Sequence, residues 1–365
     1  MSHNATRIRC LALVAITLAA LPLSSLAQHY LQTNLVADQT GAAPASDANL
    51  VNPWGMSRSS GSPWWLSDNG TGLSTLYTGT GTAESLVVTI PTGDPTMSAT
   101  GTPSGTVYNG GAGFLLPNGK SAVFMFVTED GTISGWNGGT AAVITVNTKS
   151  ASVFKGVALD TINLPYFGSS AFMYVADFRK GRIRVYDSSF NHVSVMDNLF
   201  RDEQLPPGYA PFNVQNIGGE LYVTFAKQDS QKHDEVDGAC LGFVDVFSPF
   251  GFLLRRMQHG PWLNGPWALA MAPGDFGIYS HDLLVGQFGS GKIAVYDPVT
   301  GEFKGLLETS SNSPITIQGL WGLSFGSGGT SGPANTLYFT AGPDDESHGL
   351  FGTITAVENT LGNSQ

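Results

Sequence analysis

Three carboxylates and an amide recur at one point of a repeated pattern, which makes them the first candidates for chemistry. When six short apolar runs are aligned on Trp65, Phe126, Tyr174, Tyr222, Leu284 and Tyr338, the residues three places on are Asp68, Glu129, Asp177, Phe225, Gln287 and Ala341. Around them the same alignment gathers Asn52, Asn69, Asn109, Asp130, Lys155, Asn213, Gln318, Asp344 and Asp345. Oxygen ligands drawn from several segments into a ring suit a hard cation, Ca²⁺ above all. Each Asp or Asn also has a plainer reading, since both favour turns where they accept bonds from their own backbone. If Asp68 and Asp177 do converge, their repulsion holds a proton on one of them until a cation arrives.

A second group lies in the charged loop 227–237 (KQDSQKHDEVD), which supplies His233, Asp234, Glu235 and Asp237, with His348 in the matching turn of the last repeat. Two histidines and a carboxylate would suit a transition metal. No H-x-H or H-x-x-x-H spacing occurs there, and solvated loop charge is the alternative. Two familiar strings are decoys. Gly322 to Gly326 (GLSFG) fits a nucleophile elbow but leads into a Gly-rich loop rather than a helix. Gly286 to Lys292 (GQFGSGK) has Ile293 where a phosphate loop needs Ser or Thr, and another strand pattern follows.

Positioning these residues falls to hairpins. In PWWLSDNGTGLSTLYTGTG (63–81) an apolar run stops at Asp-Asn-Gly and resumes, as a strand, a tight turn and a second strand do. The pattern recurs at 124–136, 172–186, 221–247, 283–296 and 337–354, with intervals of 61, 48, 48, 62 and 54 residues between the aligned positions. A period of that size, with several strands in each unit, predicts propeller blades. A first strand is expected before each hairpin, at Pro53, Tyr108-Asn109-Gly110, Phe154, Pro211, Pro266 and Leu320, with small residues to suit an inner strand. Fourth strands are expected at 85–90, 141–146, 192–200, 252–257 and 303–308. The sixth unit lacks one, so residues 31–38 are predicted to complete it and close the ring, an independent arm being the alternative. The fold class is therefore all-β, a six-bladed β-propeller. Trp54, Trp64, Trp65, Trp267 and Trp321 fall within strands and read as blade packing before any sugar-stacking platform.

Composition agrees. Charged residues are 12% of the chain against 46 glycines and 20 prolines, which disfavours long amphipathic helices. Arg7 and Arg9, an apolar segment to Leu23, and Ser25-Leu26-Ala27 have the order of a secretory leader, so cleavage is expected after Ala27, leaving 28–365 as one domain. That apolar segment is short for a membrane span, and the mature chain offers no other. Loss of the leader leaves 15 basic against 28 acidic residues, net −13, so no nucleic-acid partner is expected. Cys240 is then the sole cysteine, and no intrachain disulfide can form.

The strings NLVADQTGAAPASDANLVNPWGMS (34–57), WLSDNGTG (65–72), TEDGTISGWN (128–137), AKQDSQKHDEVDG (226–238) and LYFTAGPDDESHGLFG (337–352) resemble a family of exported bacterial propellers without an assigned activity. Members often end in a membrane-sorting tail that Leu361–Gln365 lacks, so the resemblance implies a freely secreted or periplasmic product. More distantly the blades resemble NHL-type propellers and lactonases, whose resemblance implies a divalent cation at the channel. Asp68, Asn109, Asp177 and Asn213 are of suitable type for it, but the surrounding lactonase motifs are missing. The expected function is thus an exported binding or scaffold propeller for a small molecule, glycan or protein, with a metal-dependent hydrolase as the alternative.

Overall fold

The computed structural model describes residues 29–96, 98–164 and 168–357. The expected leader and the tail beyond Val357 lie outside the described residues. Six small sheets stand around one axis, antiparallel except where Ala45–Ser46 adds to the edge of the last in parallel with Val36–Ala37. From the axis outward, blade 1 is Pro53–Ser57, Trp64–Asp68, a third strand broken into Leu73–Ser74 and Leu76–Tyr77, and Val88–Thr89. Blade 2 is Pro103–Tyr108, Phe124–Thr128, Thr132–Trp136 and Val143–Asn147; blade 3 is Phe154–Leu164, Gly168–Asp177 and Arg182–Asp187. Blade 4 runs Tyr209–Ile217, Glu220–Lys227, Phe243–Phe247, Leu253–Arg256, and blade 5 runs Pro266–Met271, Leu283–Gln287, Ile293–Tyr296, Phe303–Leu306. Blade 6 takes Leu320–Phe325, Leu337–Ala341 and Leu350–Val357 from the end of the chain, and His29–Ala37 from its start. The ring is closed as expected, with His29 opposite Val357 and Ala37 opposite Leu350.

Every inner strand has an irregular register near its first residue: at Pro53/Met56, Pro103/Gly105, Phe154/Val157, Pro211/Asn213, Pro266/Ala268 and Leu320/Leu323. A bulge re-aims one side chain out of the pleat. The six residues second in these strands are Trp54, Ser104, Lys155, Phe212, Trp267 and Trp321, all buried. The residue after each is small or an amide, because neighbouring backbones meet there. A Cβ on Gly55 would come 2.7 Å from the Ser104 carbonyl, and one on Gly156 would come 2.7 Å from Asn213 Cα.

Apolar side chains fill each seam between blades. Trp64, Leu66 and Tyr77 of blade 1 meet Tyr338 and Phe351 of blade 6, and Trp65 stacks on Phe124 of blade 2 with centroids 4.2 Å apart. At about 1.5–3 kcal/mol for each large apolar side chain buried, these seams hold the ring together. Tyr30 anchors the closing strand, with its ring 4.8 Å from Phe276 and its hydroxyl donating to the Phe276 carbonyl.

Two expectations need correction. Blade 2 begins at Pro103, not at Tyr108-Asn109-Gly110, because Pro103 pairs with Thr128 and Gly105 with Val127. Asn109 therefore follows the far end of its strand. Segment 192–200 forms no strand: Ser194–Met196 is a 3₁₀ turn, and Asp197 is tied to Arg182 at 2.8 Å and to His192 at 2.7 Å. Removing residues 29–37 should expose Leu350–Val357 as an open edge. We expect loss of the cooperative thermal transition followed by circular dichroism; a truncated protein melting at the full-length temperature would show that this strand does not close the ring.

Candidate functional site

The upper face of the ring carries the starts of the inner strands and the hairpin turns after the second strands. At its centre stands Lys155, fully buried. The bulge in Phe154–Leu164 aims its ammonium at the axis, where Nζ lies 4.6 Å from the centre of the Trp54 ring. Glu129 Oε1 is 2.5 Å from Nζ and Asp234 Oδ1 is 3.2 Å from it. Glu129 reaches it from the turn of blade 2, while Asp234 hangs over it from the loop of blade 4.

From this pair a chain of bonds crosses the mouth. Asn69 donates to Glu129 Oε2 at 2.7 Å, Asn52 donates to Glu346 Oε2 at 2.5 Å, and Trp321 Nε1 donates to Asn52 Oδ1 at 2.9 Å. The loop is pinned over this network by Gln228 donating to the Phe178 carbonyl and by the Gly238 amide donating to Asn264 Oδ1. Within the loop, His233 Nδ1 lies 2.8 Å from Asp234 Oδ1. Below, Trp54 stacks on Trp321 at 3.6 Å and Phe288 on Trp321 at 4.0 Å, with Phe212 and Trp267 edge-on, so aromatic rings plug the channel under the charges.

Burial alone would lower the affinity of Lys155 for its proton, but Glu129, Glu235 and Asp234 outweigh it and hold the ammonium above its ordinary value. The hydrogen bond with His233 holds Asp234 well below the carboxylate range, and the same bond raises His233. Burial pushes Glu235 up to about 8, with Glu346 and Asp237 adding to the rise. Glu346 is raised too, by burial and by Glu129. The mouth thus holds more acid than its lysine can neutralise.

Of the residues singled out in the sequence, Asn52, Asn69, Glu129, Lys155, His233, Asp234 and Glu235 are brought together here. Asp68 is buried in blade 1, where its Oδ2 accepts the Thr75 amide at 2.8 Å and burial keeps its carboxyl well above the usual range. Asp177 accepts from Ser152 and Arg184 at 2.8 and 2.9 Å and from the Lys180 amide of its own turn. Neither is bonded to Lys155 or to the other, and each is engaged within its own blade. Asp130 caps the Gly93 amide, Asn213 clamps blade 4 to the Trp267 carbonyl, and Gln287 accepts the Asn264 amide. His348 bonds Asp38 at 2.7 Å, and Asp344 is exposed in a left-handed turn. Asn109 lies on the opposite face, donating to the Ala122 carbonyl. Glu346 was not singled out; three successive residues with positive φ, Asp344, Asp345 and Glu346, swing it inward, and no sequence signal marks that turn.

Donor atoms of Glu129, His233 and Asp234 lie within 4.8 Å of one another, a set that fits a divalent ion by type. The Lys155 ammonium already sits on two of those three carboxyl and imidazole groups' oxygens, Glu129 Oε1 and Asp234 Oδ1. Both decoys read as expected: Ser324 lies within the strand Leu320–Phe325, and Lys292 is followed by the strand Ile293–Tyr296. Replacing Lys155 by Met strands the Glu129 carboxylate, and removing one partner of a buried pair costs about 3–5 kcal/mol. Urea unfolding should show that loss, and Lys155→Met with Glu129→Gln should recover most of it; equal loss in both variants would mean that the aliphatic stem, not the charge pair, matters.

No family profile matches the chain. Among solved structures, it resembles a Bacteroides thetaiotaomicron protein of unknown function with a TM-score of 0.55, at 10% identity over 90% of this chain and 76% of that one. It resembles a streptogramin B lyase with a TM-score of 0.50, at 11% identity over 91% of this chain and 99% of that one. At such identities the likeness is one of fold. Two sequence relatives come from Acanthamoeba polyphaga mimivirus, both uncharacterised: L690 is 28% identical over 337 residues, 88% of this chain and 84% of its own. The other, R648, is 30% identical over 332 residues, 88% of this chain and 78% of R648. Both of these relatives are viral proteins, and the chain belongs to the family of R648.

Proposed function

We propose that the chain is an exported binding propeller whose upper mouth takes a ligand bearing positive charge, either a small amine or a basic segment of another protein. The excess of acid at the mouth carries this reading. Lys155 and His233 face Glu129, Asp234, Glu235 and Glu346, and Asp344 and Asp345 are exposed at the rim. A cationic group placed there lets Glu235 and Glu346 ionise and relieves their mutual repulsion.

The alternative is a metal-dependent hydrolase of the lactonase type, favoured by the proximity of Glu129, His233 and Asp234. That reading requires a divalent ion to displace the Lys155 ammonium from two of its partners. Calorimetric titration with spermine as the cationic probe separates the two. Binding should release protons and tighten as pH rises toward about 8, where Glu235 ionises. Asp234→Asn should weaken it about tenfold, equivalent to roughly 1.4 kcal/mol. Absence of spermine binding, or stoichiometric Ca²⁺, Mn²⁺ or Zn²⁺ in the purified protein together with turnover of a lactone panel, would overturn the binding reading.

Export rests on the residue order of 1–27, with the cut expected after Ala27. Among the described residues, no helix is long and apolar enough to cross a membrane. N-terminal sequencing of the protein recovered from a secreting bacterial host should start at Gln28; a product that keeps Met1 would contradict export.

A further inference from the structure

Beneath the aromatic plug the channel narrows to about 30 Å³ between the inner strands and then widens at the lower face. There it opens into two adjoining lobes of about 400 and 590 Å³, which share Tyr108, Leu159 and Asn216. These volumes fall in the range of small-molecule pockets, roughly 300–1,000 Å³. The upper end is sealed by Trp54, Phe212, Trp267 and Trp321, so the well is blind from above.

Blade 3 builds one wall of it. In blade 2 the first two strands end where Tyr108 pairs with Phe124, and the aligned pair in blade 3 is Asp160 with Phe172. Blade 3 continues four pairs further, from Thr161 with Ala171 to Leu164 with Gly168, and overhangs the lower rim. Facing this overhang is the half-buried Tyr108 ring. A Cβ at position 110 would come 3.0 Å from Tyr108 Cε1, and glycine there leaves the ring open to the cleft.

The chemistry of the walls is polar, with formal charges that cancel. The lining holds one cation and one anion, Arg58 and Asp160. Arg58 spends its guanidinium on the Phe325 and Gly326 carbonyls at 2.8 and 3.0 Å. Asp160 Oδ1 accepts from the Thr161 amide and from Asn216. In contrast, Gln215, Ser324 and the Tyr108 hydroxyl face the cleft with no side-chain bond to another described residue. An aromatic face beside uncommitted amides and hydroxyls, in a lining of zero net formal charge, suits a ligand with apolar C–H faces and many hydroxyls.

We propose that this lower well is a second binding site, independent of the acidic mouth, and that it receives an uncharged sugar unit from the end of an oligosaccharide. Tyr108 stacks on the sugar ring, Gln215 and Ser324 bond its hydroxyls, and the blade 3 overhang shields it from solvent.

A printed array of neutral, sialylated and sulfated oligosaccharides, followed by calorimetry with the best neutral one free in solution, tests this. Neutral glycans should bind, and Tyr108→Ala should weaken them at least tenfold. Ser169→Trp, an exposed position on the overhang, should block the cleft without touching the core. Asp234→Asn, at the opposite mouth, should change nothing, which separates failure here from failure of the cation reading. Binding on the array but not in solution would assign the site to glycans displayed on a surface, and binding to both to free saccharides as well. No glycan bound, a preference for charged glycans, or affinity unaltered in Ser169→Trp would overturn the proposal.

Discussion

Six backbones have to approach one axis closely enough to touch, and most of what distinguishes this molecule follows from that crowding. Contact between inner strands requires glycine, alanine or a clamping amide at one position of each: Gly55, Gly105, Gly156, Asn213, Ala268 and Gly322. The bulge just before it relieves the pleat and throws the preceding side chain into the centre. The blades differ in what they place at the six axial positions. Trp54, Phe212, Trp267 and Trp321 fill their share of the centre with apolar surface, Ser104 bonds the neighbouring Phe154 carbonyl, and Lys155 brings a charge.

Placing an ammonium there carries a large desolvation cost that an aromatic side chain would avoid. The cost is offset by Glu129, Asp234 and the face of Trp54, groups drawn from three other blades. Lys155 therefore ties the orientation of blades 1 to 4 to one point, and the loop of blade 4 acquires a fixed position despite its polar composition. An apolar residue would pack, but it would not specify where Asp234 and His233 sit.

How much of this was legible depends on range. Alternation and turn residues are local, so the blades, the order of strands and the closing partner of Leu350–Val357 could be read from the chain. Asn109 shows where that reading slips. Tyr108-Asn109-Gly110 mimics Pro53-Trp54-Gly55 in composition, and only pairing with Thr128 shows that Pro103-Ser104-Gly105 is the true counterpart. Asp68, Asp177 and Glu129 occupy the same place in the repeat, yet two serve their own turns and one serves the axis. The difference lies in what each meets across space: Thr75 for Asp68, Arg184 for Asp177, Lys155 for Glu129. Glu346 depends on a run of left-handed backbone that acidic residues seldom adopt, and nothing in Asp-Asp-Glu announces it.

The seam in blade 6 joins the first and last described strands, with His29 opposite Val357. A ribosome adding about 5–20 residues each second needs roughly 16–65 s to travel between them. Throughout that interval His29–Ala37 has been made and its partner has not. Blades 1 to 5 are built from their own consecutive strands and do not need that partner, while the opening strand waits with its hydrogen-bonding edge bare. The ring is thus complete only once Leu350–Val357 meets His29–Ala37, so its maturation is timed by the arrival of that strand rather than by the folding of any single blade.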